Sequence, residues 1–330
     1  MSIFRSIVEL AFKSASIDAN VSSGAFSLRL SLDEWANDQD VLSSFAGIET
    51  RSNPPSDFRT AILGGTRLPS SFLPSDVSRH AIYEDDRYLT VWLPFPDGVL
   101  YVWDFENCAG VMWCTTETMP SWLLSRPILP LLHAYASQTE WCPVHASAVG
   151  RNGEFLLMIG PGGAGKSTAA LSCVAAGWQY AGDDFVLINP TQRLVKPLYA
   201  SGRLRVGGPE RLAASLSRFI FAESNEGDES RLEMRFSTGD RQIPIEGGTI
   251  ARVLIPRRRG DPAFQIERAR PADAFACMIP FTRVYTPGRA EQLTKKILSA
   301  AGMVPAYFVE TGRDAMAIPA GLQTILDGAP

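Results

Sequence analysis

The sequence predicts an α/β protein with a mixed sheet in its second part, preceded by a smaller, β-rich α+β domain. Three observations predict it. Gly160-Pro-Gly-Gly-Ala-Gly-Lys-Ser-Thr168 follows a short apolar run and opens a small-residue helical stretch. Two strand-like segments immediately before it are joined by an Asn-Gly turn, which makes the first neighbour of the loop strand antiparallel. Residues 1 to about 125 carry short strand-like runs and no comparable motif.

The chain has 330 residues, 45% hydrophobic and 20% charged, enough for two domains with buried cores. We read them as residues 1–125 and 126–330. A formal net charge of −4 argues against non-specific nucleic-acid binding, and no partner of that kind is expected. The cysteines Cys108, Cys114, Cys142, Cys173 and Cys277 form no CxxC pair, so they suggest thiols in a reducing cytosol. No run is long and apolar enough to span a membrane, and Met1 to Ala15 reads as an amphipathic helix, not a signal peptide. A cytoplasmic location is therefore expected. A homo-oligomer is compatible with all of this.

In the first half, Ala25 to Leu30 and His80 to Ile82 read as strands. Tyr88 to Leu93 and Val99 to Trp103, joined by Pro-Phe-Pro-Asp-Gly, read as a β-hairpin. Arg51 to Asp57 holds Asn53, Pro54 and Pro55 and breaks any regular element. Ser121 to Ser137 has leucines at helical spacing and would open the second domain. Glu223 to Ser230 is polar and acidic and reads as a surface loop.

Phe155 to Ile159 suits a buried strand, and Lys166 to Ala176 suits a helix stopped by Gly177. Between them, the loop pattern points backbone N–H groups and a helix N-terminus at an anion. Gly160, Gly162, Gly163, Ala164, Gly165, Lys166, Ser167 and Thr168 are the candidate nucleotide-binding residues. Lys166 would meet the β and γ phosphates and the Ser167 hydroxyl would bind Mg²⁺, so ATP and Mg²⁺ are the expected cofactors. About one unrelated chain of this length in a hundred would carry the pattern by chance, before its flanking strand and helix are considered.

Upstream, Val144-His-Ala-Ser-Ala-Val149 reads as a strand, and pairing Val149 with Phe155 would set His145 opposite Ile159. Downstream, Trp178 to Gly182 would return parallel to the loop strand and carry Asp183 and Asp184 to the loop's side. Beside a Mg-nucleotide, one carboxylate can hold the metal and the other accept a proton from an attacking hydroxyl. Without the loop, an Asp pair after a glycine is simply a turn.

His145-Ala-Ser-Ala-Val, GPGGAGKS and GWQYAGDD, in this order, resemble the catalytic domain of HPr kinase/phosphorylase and its serine-kinase relatives. The likeness covers about residues 140–330 and implies a P-loop kinase domain of the HPr-kinase/PEP-carboxykinase-like type. It implies Asp183 as catalytic aspartate, Asp184 as its metal-associated neighbour, and His145 near the transferring phosphate. Val253 to Gly260, followed by Phe264 to Glu267, is similar to the family's later strand, arginine loop and strand. Of Arg257, Arg258 and Arg259, we assign Arg259 to the transferred phosphoryl group. Thr168 and Gly162 depart from the family's usual residues, and its Glu-Ile-Arg-Gly signature has no clear counterpart; Gly202-Arg-Leu-Arg205 is the nearest and lacks the glutamate. HPr itself is therefore not the expected acceptor.

The expected function is an ATP- and Mg²⁺-dependent phosphotransferase acting on a serine hydroxyl of a peptide or small protein. A metabolite kinase and an ATP-binding regulator without phosphotransfer are the alternatives. No LSGGQ-like or NKxD motif supports a transporter ATPase or a GTPase.

Overall fold

The computed structural model describes residues 3–22, 25–45, 48–49, 56–65, 72–94, 98–226, 229–236, 243–257, 263–282 and 285–328. The chain divides into two compact units, Met1–Thr139 with Arg283–Glu291, and Glu140–Thr282 with Gln292–Pro330.

The first unit contains α1 (Ile3–Ser14), β1 (Ile17–Ser22), β2 (Ser27–Leu32), α2 (Glu34–Asp38), β3 (Ile48–Glu49) and β4 (Phe58–Gly64). It continues through β5 (Ala81–Glu84), β6 (Tyr88–Leu93), β7 (Val99–Asp104), β8 (Ala109–Cys114), α3 (Ser121–Leu124) and α4 (Leu129–Ser137). Among the described residues its strands form one sheet, in the order β3-β1-β2-β4-β8-β7-β6-β5. The hairpin read at Tyr88 is present, pairing Tyr88 with Asp104 and Leu93 with Val99. Apolar spacing in α1 buries Ile7, Val8 and Ala11 with Leu63, Val102 and Val111. Side chains alternate between faces along β4, so Phe58 lies on the opposite side, where Tyr135 of α4 stacks on it at 4.4 Å.

Two details differ from the sequence reading. Ser121 to Ser137 is two helices, because Ile128 takes a left-handed conformation (φ 54°) between them. The units divide at 139/140, not at 125/126, because α4 packs on β7 of the first sheet. Most of the segment Arg51 to Asp57 lies outside the described residues.

The second unit contains β9 (Cys142–Val144), β10 (Ala146–Arg151), β11 (Glu154–Ile159), α5 (Lys166–Ala175), β12 (Gln179–Gly182) and β13 (Val186–Asn189). Then come β14 (Leu194–Lys196), β15 (Ser201–Arg205), α6 (Glu210–Ser215), β16 (Ile220–Glu226), β17 (Glu229–Arg235) and β18 (Gly248–Arg257). Last are β19 (Gln265–Ala269), α7 (Pro271–Thr282), α8 (Ala290–Gly302), β20 (Ala306–Glu310) and α9 (Ile318–Leu326). The main sheet follows β12-β10-β11-β18-β14-β13-β9, with β20 on β18 and β19 on β20. It is mixed: β11, β18 and β20 run parallel, while β10 and β14 run against them.

Both faces are covered. Leu156 and Met158 of β11 pack with Leu171 of α5 and Leu322 of α9. The alternate residues Leu157 and Ile159 pack with Met278 of α7 and Ile297 of α8. A second sheet, β15-β17-β16, adjoins α5 and is tied to the first where the Tyr180 hydroxyl donates to the Ser201 carbonyl at 2.5 Å. Its β16–β17 hairpin occupies most of the segment read as a loop at Glu223–Ser230, because Ser224 and Met234 have buried partners there.

The expected hairpin before the phosphate loop forms one residue out of the expected register. Asn152 and Gly153 make a two-residue turn (φ 52° and 81°) that closes Arg151 on Glu154. Val149 then pairs with Leu156 and Ala146 with Ile159, leaving His145 at a bend between β9 and β10. The C-terminal stop of α5 is as read: Gly177 N–H donates to Val174 O and Trp178 N–H to Cys173 O, each at 3.0 Å. β12 runs parallel to β11, with β10 between them.

Gly182 ends β12 at φ 150°, and a Cβ there would sit 2.7 Å from Val186 Cγ1. Gly182→Ala should therefore cost about 1–3 kcal/mol through overpacking at a strained position. Urea denaturation checks this. An unchanged midpoint would show that the close approach does not constrain the fold.

Candidate active site

The loop after β11 is shaped by Gly160, Gly163 and Gly165, all at positive φ (139°, 77° and 107°). Cβ atoms at Gly162 and Gly163 would meet nothing within 4 Å, so this face of the loop is open to a ligand. The helix bond from Ala169 N–H goes to Gly165 O, which leaves the amides of Lys166, Ser167 and Thr168 without an acceptor inside α5. Those amides and the helix dipole fit a polyanion. Ala164 N–H is used within the loop, donating to Pro161 O at 3.3 Å.

Lys166 is buried, 5% exposed, and its Nζ donates to the carbonyls of Gly160 (2.8 Å) and Pro161 (3.2 Å). Burial pulls its ammonium below the ordinary lysine range, while the Asp183 charge opposes that pull. A buried cation held by carbonyls that a phosphate oxygen could replace suits a triphosphate.

The acids sit where one antiparallel ladder is interrupted. β9 pairs with β13 through Val144 and Val186, whereas β10 pairs with β12 through Ala148 and Gly182. The same two segments therefore remain antiparallel neighbours in one register on either side, and the ladder between them is broken at 145–147 on one and at 183–185 on the other. Asp183 is 4% exposed, and its carboxylate accepts from Ser147 Oγ (2.5 Å) and from the Arg203 backbone N–H (3.3 Å). Asp184 adopts φ 71°, with Oδ1 3.1 Å from His145 Nε2 and Oδ2 3.7 Å from Arg203 Nη1. The His145 ring lies 5.4 Å from that of Phe185, tilted by 33°.

Nothing in the sequence singles out Arg203 beyond the partial likeness of Gly202-Arg-Leu-Arg205 to a family signature. Its backbone serves Asp183 and its guanidinium faces Asp184, while its Nε donates to Glu233 at 3.0 Å. Glu233 is fully buried opposite Arg203 in β17 and also accepts from Ser224 Oγ at 2.5 Å. Ser147 lies in the His145-Ala-Ser-Ala-Val strand, but nothing in the sequence marks it as Asp183's partner.

Asp184 is engaged by His145 and Arg203, and among the described residues no group of three or more His, Cys, Asp or Glu gathers to hold a metal. Mg²⁺ requires no such group, since it takes one or two protein oxygens, phosphate oxygens and water. The Ser167 hydroxyl in the first turn of α5 is one fitting donor. Arg257 closes β18, paired with Glu267 at 3.4 Å and lying 3.0 Å over the Phe308 ring. Arg258 and Arg259, the latter assigned to the phosphoryl group, lie outside the described residues.

No protein-family model matches this chain, and no curated protein proves similar to it. The likeness to HPr kinase rests on the motifs alone.

Two outcomes follow from this geometry. Lys166→Met removes a charge that burial disfavours, so thermal unfolding of the ligand-free protein should occur at an equal or higher temperature, while stabilisation by Mg-ATP disappears. A fall of several degrees with Mg-ATP stabilisation retained would make Lys166 a strut and not a phosphate ligand. Arg203→Ala strands the buried Glu233 charge and should cost about 3–5 kcal/mol. Adding Glu233→Met should recover part of that loss in chemical denaturation; additive losses would show that the two charges are not coupled.

Proposed function

We propose that the second unit binds Mg-ATP and transfers its γ-phosphoryl group to a serine hydroxyl on a peptide or small protein other than HPr. One observation supports the reading: a buried lysine in a glycine-rich loop at a helix start, held by loop carbonyls, in a unit that also holds a buried, well-anchored aspartate. The chain belongs, on this proposal, with P-loop kinase domains of the HPr-kinase-like type.

The loop amides and Lys166 hold the phosphates, and Mg²⁺, held with the Ser167 hydroxyl, would neutralise charge on their oxygens. Asp183 takes the proton of the serine hydroxyl as its oxygen forms a bond to the γ phosphorus, and the bond to the ADP oxygen breaks. Ser147 and the Arg203 N–H fix the Asp183 carboxylate, so its orientation need not be organised during the reaction. His145 and Arg203 position Asp184 beside it. An arginine of the Arg257–Arg259 run, with Arg259 our choice, offsets charge on the transferred group. The first unit selects the acceptor, and the protein acts in the cytoplasm.

Radiolabelled ATP with candidate acceptors tests the reading. Asp183→Asn should retain Mg-ATP binding and lose about 10²–10⁴-fold in transfer rate. Asp184→Asn should raise the Mg²⁺ concentration needed for half-maximal rate. Full activity of both variants would reduce the pair to a turn. Because Lys166 titrates below its ordinary value of 10.5, kcat/KM should fall on the alkaline side below that pH. HPr given with ATP and Mg²⁺ should stay unmodified; efficient HPr phosphorylation, or pyrophosphate formed from phospho-HPr and phosphate, contradicts the choice of acceptor.

A further inference from the structure

We infer that a cleft of about 530 Å³ beside the start of α5 holds the nucleoside of the bound triphosphate, an inference that rests on the nucleotide reading above. Its volume lies within the ordinary range of small-molecule sites, about 300–1,000 Å³.

β11, β18 and β20 are parallel, so their carboxyl ends share one edge of the sheet, where ligands of α/β proteins bind. The phosphate loop follows β11, and the segment Glu310 to Arg313 at the end of β20 forms one wall of the cleft. The other wall is the turn from Leu204 to Pro209, which follows β15.

The cleft also faces away from the acids. It reaches the phosphate site through Gly165 and Thr168, three residues apart and hence on one side of the helix start. Lys166 points elsewhere, to the Gly160 and Pro161 carbonyls. None of His145, Ser147, Lys166 or Asp183 lines the cleft. An acceptor hydroxyl must reach Asp183, so this is not the acceptor's pocket. A triphosphate with its γ end at Lys166 would leave the helix start past Thr168 and enter the cleft with its other end.

Leu204, Val206, Pro209 and Ile318 give apolar surface for the flat faces of a base, and Arg205 and Arg313 add cations that can stack on it or meet phosphate. The walls are set in advance. Val206 N–H donates to Ser230 O at 2.9 Å and Gly208 N–H to Arg205 O at 3.0 Å. Opposite, Asp314 accepts from Met316 N–H at 2.9 Å and holds the turn after β20.

Calorimetry on the whole chain with Mg-ATP and with Mg-tripolyphosphate tests this. Val206→Trp fills the cleft from a position that is 40% exposed, so the core is spared. It should weaken Mg-ATP binding about tenfold or more and leave Mg-tripolyphosphate within about twofold. The exposed Arg313→Ala should weaken Mg-ATP selectively as well, and it serves if Val206→Trp fails to fold. Lys166→Met should lose both ligands. If wild type binds Mg-ATP and these cleft variants bind it equally well, the cleft inference is overturned and the phosphate site stands. If wild type binds neither ligand, the nucleotide reading itself fails and takes the cleft with it.

Discussion

The site depends on one constraint: the antiparallel ladder between residues 142–151 and 179–189 breaks at one level and resumes in the same register. Where β9–β13 gives way to β10–β12, the ladder is interrupted at His145 and at Asp183 to Phe185. Buried backbone groups at such an interruption need other partners, and so do buried carboxylates. The structure meets the need locally: Phe185 N–H donates to Asp183 O at 2.9 Å, while Ser147 and the Arg203 backbone serve the Asp183 carboxylate. Because β12 runs parallel to β11, the interruption carries the acids to the sheet edge that bears the phosphate loop.

The second sheet completes the electrostatics. Two adjacent aspartates in a poorly hydrated place repel each other unless a cation stands beside them. Arg203 supplies it, and Glu233 in turn holds the guanidinium through a cross-strand pair. The Tyr180 hydroxyl fixes that sheet to the strand preceding the aspartates. Acids, arginine and second sheet therefore form one connected assembly of buried polar groups, in which each member's removal leaves another unsatisfied.

Local signals in the sequence carried furthest. The glycine-rich loop, its strand and helix, the stop at Gly177 and the hairpin at Asn152-Gly153 were legible because each is set by neighbouring residues. The hairpin's register was not, since taking Gly150 to Glu154 as the connection leaves the tightness of the turn open, and one residue of slip moves His145 out of the strand. Arg203 and Glu233 are separated from the aspartates and from each other by tens of residues, and no periodicity joins them. Glu233 lies in a hairpin whose partner segment reads as polar loop because its buried groups are serine and glutamate rather than apolar. The end of the first domain was misplaced for a similar reason: α4 is apolar all round, so its spacing could not say which sheet it covers.

The central claim is that Lys166 and Asp183 serve one transferred phosphoryl group. The most direct measurement is a crystal structure of the whole chain with Mg²⁺ and a non-hydrolysable ATP analogue. The account predicts Lys166 Nζ released from the Gly160 and Pro161 carbonyls onto β- and γ-phosphate oxygens, with the Asp183 carboxylate facing the γ-phosphoryl group. A nucleotide bound away from the loop, or an Asp183 carboxylate turned from the γ-phosphoryl group and still held only by Ser147 and Arg203, would contradict it.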